Sequence, residues 1–217
     1  MKIGTKIIAV ALLVGLNTTT VFGQKYTSQK NSVGFNFGAL SYSGRFAVGT
    51  SLPTYSSLYA SFTYRHKVLP QLHIRGEAFG GRMRADNMDV ESQTGKPMGW
   101  FQTEMAELSV KGEYDVLDLR KNRLSPFIDA GVGAYTLFNY TSSLGDKTSD
   151  KFGFVVPVGA GIKYRINNRI KLLAEGNIRF FNSNLDNRTG ENVNNPNKYY
   201  SFGFGLIYEL TPDNILW

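Results

Sequence analysis

The sequence predicts an all-β chain that closes into an eight-stranded antiparallel up-and-down transmembrane β-barrel. Apolar and polar residues alternate through eight runs, which is the period of a β-strand with two unlike faces. The connections between these runs alternate between long and short. A tyrosine closes each even-numbered run on its apolar face. Together, these three regularities are typical of a barrel that crosses a membrane with its strands.

Each run is defined by the side chains that its alternation places on one face. In chain order the runs cover about 32–40, 55–65, 72–82, 101–114, 125–138, 152–166, 170–181 and 199–210. The apolar faces comprise Val33, Phe35 and Phe37; Leu58, Ala60, Phe62 and Tyr64; Ala106, Leu108 and Val110; Ile128, Ala130, Val132 and Ala134; Val156, Val158, Ala160 and Ile162; Leu172, Ala174 and Ile178; and Phe202, Phe204 and Leu206. The third run is not in this list, because its alternation is defined mainly by charged residues on the opposite face.

The connections fall into two classes. Those after runs one, three, five and seven are long and polar, at 41–54, 83–100, 139–150 and 182–198. Those after runs two, four and six are shorter, at 66–71, 115–125 and 167–168. Outer-membrane barrels combine short periplasmic turns with long extracellular loops, whereas a soluble sandwich has no reason to sort its loops this way.

Tyrosines recur at equivalent positions of the even-numbered runs. They are Tyr64, Tyr114, Tyr164 and Tyr208. A chain that enters from the periplasm places all four at the periplasmic interface, where aromatic rings favour the headgroup region. Aromatic residues towards the long connections, Phe138, Phe154, Phe180 and Tyr200, are expected to form the opposite girdle.

The opposite face of the runs is charged, with acids and bases in equal number. Its predicted network consists of Arg75, Glu77, Glu107, Lys111, Asp129, Lys163, Glu175 and Arg179, and the same face carries His73, Glu113, Arg165, Lys171 and Glu209. The lumen of an eight-stranded barrel is just wide enough for side chains to fill, so we expect these charges to pair internally instead of lining a pore.

Glycines and prolines on the predicted strands have positional meaning. We expect the glycines of the charged face to make room for long side chains and to ease curvature; they are Gly34, Gly38, Gly131, Gly133, Gly159, Gly161, Gly203 and Gly205. Pro126 and Pro157 are expected to mark a bulge or an edge, because proline cannot donate to the ladder.

The first 23 residues resemble a secretory signal peptide. Lys2 and Lys6 precede the apolar run 7–16, and Val21 and Gly23 suit cleavage before Gln24. The ten apolar residues are too few to span a bilayer as a helix, which favours a cleaved signal over an anchor. We therefore predict a signal peptide over 1–23, a barrel domain over 24–217 and a Gram-negative outer-membrane location.

No residue pattern announces catalysis, a cofactor or a metal site. The chain has no cysteine, which excludes thiolate chemistry and a disulfide framework. Its two histidines, His66 and His73, flank a short turn, the wrong end for a barrel hydrolase. The formal net charge of +7 is scattered among acidic residues, so we expect contact with outer-membrane lipid and lipopolysaccharide, not nucleic acid.

Three segments resemble a known family. They are FQTEMAELSVKGEYDVLD (101–118), SPFIDAGVGAY (125–135) and VPVGAGIKYRINNRIKLLAEGNIRF (156–180). They are similar to the small Bacteroidetes outer-membrane barrels of the PorG type, over about residues 32–190. Arg45 in GALSYSG stands where that family usually has an acid, and the Asn-rich stretch 182–198 departs from it.

The resemblance implies an eight-stranded barrel and, through the characterised member of that family, a part in type IX secretion by contact with periplasmic or lipoprotein components. We expect the barrel to be monomeric. Under this hypothesis the partner site lies on the turn 115–123, the longest and most charged of the short connections. Two alternatives remain: a structural or adhesion protein that presents its long loops outside the cell, and a soluble, exported, lectin-like sandwich.

Overall fold

The computed structural model describes residues 31–43, 57–86, 100–142, 152–181 and 197–210, which form eight strands. The strands are β1 (Asn31–Ser43), β2 (Ser57–Lys67), β3 (Leu72–Asp86), β4 (Trp100–Asp115), β5 (Leu124–Ser142), β6 (Phe152–Arg165), β7 (Ile170–Phe181) and β8 (Asn197–Glu209). The predicted signal peptide and most of the long connections lie outside the described residues. No helix among the described residues is long and apolar enough to cross a membrane.

Each strand pairs antiparallel with its neighbours in the chain, and β1 pairs with β8, so the sheet closes into a barrel. The predicted eight-stranded antiparallel barrel is therefore confirmed. Following direct partners around the barrel from Asn31 leads back to β1 at Ser41, a stagger of ten residues. Such a stagger tilts the strands relative to the barrel axis.

The closed sheet has two ends. The turn end carries the short connections after β2, β4 and β6, at residues 68–71, 116–123 and 166–169. The loop end is where β1, β3, β5 and β7 finish. Several strands extend further towards the loop end than the alternation predicts, and β5 continues to Ser142 by pairing with Phe101 of β4.

Two irregularities interrupt the ladders of β5. The pairing with β4 shifts between Gln102 and Glu104, a β-bulge near Asn139, whose φ of 51° is left-handed. The pairing with β6 breaks between Ala130 and Gly133, opposite Pro157. The register is the same on both sides of this gap, and Pro126 pairs regularly with Ile162, so neither proline marks the predicted bulge or edge. The gap agrees with the missing N–H of proline.

The outer face of the barrel is apolar. Large hydrophobic side chains that are exposed there include Phe35, Phe37, Leu58, Phe62, Leu108, Val110, Ile128, Val132, Val156, Ile162, Leu172, Phe202, Phe204 and Leu206. The inner face is buried and divided into two regions. Charged residues fill the turn end and the middle of the lumen, whereas hydrophobic side chains fill the loop end.

Two hydrophobic clusters are buried in the lumen. The smaller consists of Phe127, Leu173 and Ile207. The larger fills the loop end and is here called the apolar plug. It contains Leu40, Tyr42, Tyr59, Phe79, Met83, Phe101, Met105, Tyr135, Leu137, Val155, Phe181 and Tyr199. The sequence pattern predicts charges on the inner face and does not predict this plug. Its signal is the parity of the alternation, since Phe79 continues the face of Arg75 and Glu77.

Inward glycines allow neighbouring strands to approach closely and also leave room for long side chains. A Cβ added to Gly131 would lie 2.1 Å from the carbonyl oxygen of Val110, so neighbouring strands leave no space there. A Cβ added to Gly34 would lie 2.8 Å from Nη1 of Arg65, which is the expected accommodation of a long side chain.

Candidate functional site

The charged interior is the most unusual feature of the barrel. The eight residues predicted as a network all lie buried on the inner face; they are Arg75, Glu77, Glu107, Lys111, Asp129, Lys163, Glu175 and Arg179. They come from the five strands β3 to β7, each of which turns every second residue inward. Closure of the sheet then brings them together across the lumen.

Arg75 lies at the centre of this interior and is fully buried. Its two terminal nitrogens donate to both oxygens of Glu175, at 2.6 and 2.9 Å. Nη1 also lies 3.3 Å from Asp129 and 3.4 Å from Glu113, and Nη2 lies 3.3 Å from Glu77. One guanidinium therefore joins carboxylates from four strands, in the bidentate geometry that favours arginine over lysine.

Lys111 forms the neighbouring contact. Its Nζ lies 2.7 Å from an oxygen of Glu77 and donates to Oδ1 of Asn177 at 3.1 Å. Asp129 Oδ1 is further away, at 3.6 Å. Glu77 is thus shared between Lys111 and Arg75, so the centre of the lumen is a connected network and not a set of isolated pairs.

Arg179 carries the network towards the loop end. It is fully buried, lies 3.2 Å from Glu107 and 3.4 Å from Glu77, and donates to Ser201 at 2.5 Å. Its guanidinium also stacks over the ring of Phe79, 4.3 Å from the centroid. Arg179 thereby connects the charged region with the apolar plug.

Tyr199 makes the same connection from the side of the plug. Its ring packs against Phe181, with centroids 5.4 Å apart, while its hydroxyl donates to Glu107. The buried tyrosine therefore packs its ring in the apolar plug and hydrogen bonds its hydroxyl to the charged region. The lumen is occupied by side chains on both sides of the boundary between these regions.

At the turn end Lys163 bridges two carboxylates. Its Nζ lies 2.6 Å from Glu113 and 2.5 Å from Asp115, and Arg65 lies 3.2 Å from Glu113. Neither Arg65 nor Asp115 is among the predicted charges: Arg65 is the last residue of the predicted second run, and Asp115 lies just beyond the fourth. Each is one position beyond its tyrosine, on the inward parity, so following the alternation past the tyrosine finds both.

His73, Glu113 and Asp115 offer ligand atoms within 4.8 Å of one another, a spacing that could hold a metal ion. The two carboxylates already contact the ammonium group of Lys163, so a metal ion would have to compete with this cation. The other histidine, His66, hydrogen bonds through Nδ1 to Oδ1 of Asn31 at 2.8 Å.

The four predicted girdle tyrosines point outward near the turn end. Tyr64, Tyr114, Tyr164 and Tyr208 have 37–45% of their surface exposed. The hydroxyl of Tyr208 accepts a hydrogen bond from Arg169 at 3.0 Å. Apolar residues continue beyond the tyrosines, and Val116, Ile166 and Leu210 are all exposed there. The tyrosines therefore do not mark the limit of the apolar outer face.

The predicted partner turn, 115–123, is folded around Asp118. The carboxylate of Asp118 accepts hydrogen bonds from the backbone N–H and the guanidinium of Arg120, and its carbonyl accepts from the N–H groups of Lys121 and Asn122. Partial burial raises the pKa of Asp118, but the bonds from Arg120 outweigh it and bring this pKa below its ordinary value of 3.8.

The family model described as "Domain of unknown function (DUF6089)" matches residues 8–210. None of the curated proteins matches the sequence.

Among solved structures the chain is similar to Neisserial surface protein A (NspA), at 14% identity and a TM-score of 0.51, covering 82% of this chain and 96% of that one. It also matches the N-terminal barrel domain of Pseudomonas aeruginosa OprF, at 14% identity and a TM-score of 0.47, covering 84% and 100%. A further match is Ail, the attachment invasion locus protein of Yersinia pestis, at 11% identity and a TM-score of 0.47, covering 84% and 100%. The likeness to NspA shows a shared fold.

Proposed function

We infer that this chain, which belongs to the DUF6089 family, is a small outer-membrane β-barrel protein without a pore. The observation that carries this inference is the inverted polarity of the barrel. Charged residues are buried inside, and large apolar side chains are exposed outside. A barrel in water would bury the apolar face, whereas a barrel in lipid turns it outward. Residues 1–23 would direct its export.

The filled interior supports a role that uses the two ends of the barrel and not its lumen. The network around Arg75 occupies the middle, and the apolar plug occupies the loop end. Both would have to be removed to open a water-filled channel. The charges in the middle of the lumen are engaged with one another, and we propose a non-enzymatic role.

Two measurements test the barrel and its closed lumen. The protein should fractionate with outer membranes and migrate faster on a gel before boiling than after it. Purified protein in planar bilayers should give no large stable conductance. Recovery in the soluble fraction would contradict the membrane assignment, and a large stable conductance would contradict the filled lumen.

We further propose that the protein is an accessory component of type IX secretion, monomeric in the membrane, which contacts a periplasmic or lipoprotein partner through its turn end. This role rests on the resemblance of three segments to PorG-type barrels. The turn 115–123 supports it, because it presents the exposed residues Lys121, Asn122 and Arg123 on a folded backbone.

A deletion strain tests this role directly. Loss of the gene should reduce export of type IX cargo, and the wild-type gene should restore it. Complementation with Lys121→Glu and Arg123→Glu together should restore membrane assembly but not export. Normal export by the deletion strain would exclude the secretion role and favour a structural or adhesion role that uses the long connections.

A further inference from the structure

Arg165 differs from the other buried cations of the interior. It is the last residue of β6, at the turn end, and only 8% of its surface is exposed. Its side chain takes part in no hydrogen bond or ion pair within the part of the chain that the structure describes, and Nη1 is buried without a partner. A buried guanidinium without a counter-charge is strongly unfavourable.

The other inward cations show what is missing at Arg165. Each has a carboxylate oxygen within 3.2 Å: Arg65 has Glu113, Arg75 has Glu175, Lys111 has Glu77, Lys163 has Asp115, Lys171 has Glu209 and Arg179 has Glu107. The acids nearest the turn end are therefore already engaged by other cations. Glu209, for example, holds Lys171 at 2.5 Å.

The surroundings of Arg165 add positive charge. Arg165 lies directly opposite Lys171 in the pairing of β6 with β7, and both side chains point inward. Directly opposed residues on adjacent strands have Cβ atoms about 5 Å apart, a distance at which like charges destabilise the sheet. Lys163 lies two positions away on the same face. A second guanidinium nitrogen at this end, Nη2 of Arg65, is also buried without a partner.

We propose that Arg165, with Lys171 beside it, forms a binding site for a phosphate group at the turn end of the lumen. The planar guanidinium can donate to two phosphate oxygens at once, and the neighbouring ammonium adds a point charge. The ligand supplies the counter-charge that the described residues do not provide. The phosphate can come from a free phosphate compound in the periplasm or from the headgroup of an inner-leaflet phospholipid, which share this chemistry.

Thermal unfolding of the purified barrel tests the site. The protein is folded in phosphate-free, non-ionic detergent and titrated with inorganic phosphate, while sodium chloride keeps the ionic strength constant. Binding should raise the unfolding temperature by about 3 °C or more at tenfold excess over the dissociation constant. Arg165→Gln should abolish the rise, and Arg165→Lys, which keeps the charge but loses the fork, should reduce it.

The matched control is Arg123→Gln, an exposed arginine at the same end. It should keep the full response to phosphate. Arg165→Gln should fold at least as well as wild type without phosphate, because it removes an unpaired buried charge. This expectation separates loss of binding from loss of folding.

A second arm identifies the source of the phosphate. Micelles doped with phosphatidylglycerol are compared with micelles doped with the same fraction of diacylglycerol, which has no phosphate. If only phosphatidylglycerol raises the unfolding temperature, the ligand is a lipid headgroup. If inorganic phosphate raises it, the ligand is a free phosphate compound. The proposal is overturned if neither raises the unfolding temperature, if chloride reproduces the effect, or if Arg165→Gln responds like wild type. None of these results bears on whether the protein acts in secretion.

Discussion

At the scale of single residues, Arg75 contributes most to the charged interior. It contacts four carboxylates, those of Glu77, Glu113, Asp129 and Glu175, and has no exposed surface. Two charges brought into a low-dielectric interior lose their hydration, and their mutual attraction repays this cost only when the geometry is good. Arg75 attracts several buried carboxylates at once. Removing it should therefore lower the free energy of unfolding by more than the loss of one ion pair would.

Arg75→Gln should therefore destabilise the barrel by about 3–5 kcal/mol, because it leaves buried carboxylates without their cation. Unfolding in urea, followed by tryptophan fluorescence in detergent or vesicles, measures the change. Arg82→Gln is the matched control, since Arg82 pairs with Glu104 at 2.9 Å but is 57% exposed. Its effect should be small. Equal effects of the two variants would contradict the buried network.

Alternation in the sequence predicts which side chains share a face, and this places the eight predicted charges inside. It does not predict which acid contacts which base, because contacts across the lumen depend on the ten-residue stagger and on side-chain rotamers. Arg165 illustrates the difference. It has the same parity as Lys163, yet Lys163 lies 2.5 Å from Asp115 and Arg165 pairs with none of the described acids.

At the scale of elements, the eight strands were predictable because each one alternates over its full middle section. Their ends were less predictable where both faces become polar, as in the last residues of β5 at 139–142. There the ladder to β4 continues by backbone hydrogen bonds, which leave no pattern in the side chains. The apolar plug was missed because hydrophobic residues near the loop end occur on both faces, and the alternation in polarity is lost.

Gly131 shows how tightly neighbouring strands approach. Gly131→Ala should hinder folding, because its Cβ would lie 2.1 Å from a backbone oxygen of β4, which cannot move independently of its strand. We expect the free energy of unfolding to fall by about 1–3 kcal/mol. After refolding, a smaller fraction of the protein should then migrate as the fast, folded band on a gel.

Gly112→Ala is the control for this substitution. It lies on β4, one position beyond Lys111, where an added Cβ would meet its nearest atom at 4.0 Å. It should refold like wild type. If Gly131→Ala also refolds like wild type, β4 and β5 do not approach as closely as described.

The turn that follows β4 depends on Asp118. Because the folded pKa of Asp118 lies below its ordinary value, its contribution is present at neutral pH and is lost only as the pH falls through the folded pKa. Asp118→Asn should therefore loosen the turn at neutral pH, with exchange of the Arg120 amide roughly 3–10-fold faster, since a hydrogen bond contributes about 1 kcal/mol.

Nuclear magnetic resonance of the barrel in micelles measures this exchange. Asn122→Ala is the comparison, because the side-chain amide of Asn122 donates to the backbone carbonyl of Asp118 and not to its carboxylate. It should leave the pH dependence of the turn unchanged. An Arg120 amide that exchanges at the same rate in Asp118→Asn and in wild type would show that the carboxylate does not order the turn.

At the scale of the whole molecule, the barrel has an inside-out distribution of polarity. The residues that are most buried include Arg65, Arg75, Lys111 and Arg179, whereas Leu108 is 70% exposed. Hydrophobic stabilisation between protein and water cannot produce this arrangement, because it would leave the largest apolar surface in contact with water. In lipid the same surface is solvated by acyl chains, and the charges satisfy one another inside.

This arrangement leads to opposite expectations for one substitution in water and in a bilayer. Leu108 is exposed near the middle of β4, so an arginine there would cost little if the outer face met water. In a bilayer Leu108→Arg should cost about 2–4 kcal/mol, whereas Leu210→Arg, just beyond β8 at the turn end, should cost about 0–1 kcal/mol. Reversible unfolding in phospholipid vesicles measures both. The difference between the two positions reports the depth of each in the hydrocarbon, since both variants replace an exposed leucine by arginine. Equal and small costs would mean that the apolar outer face does not lie in a membrane.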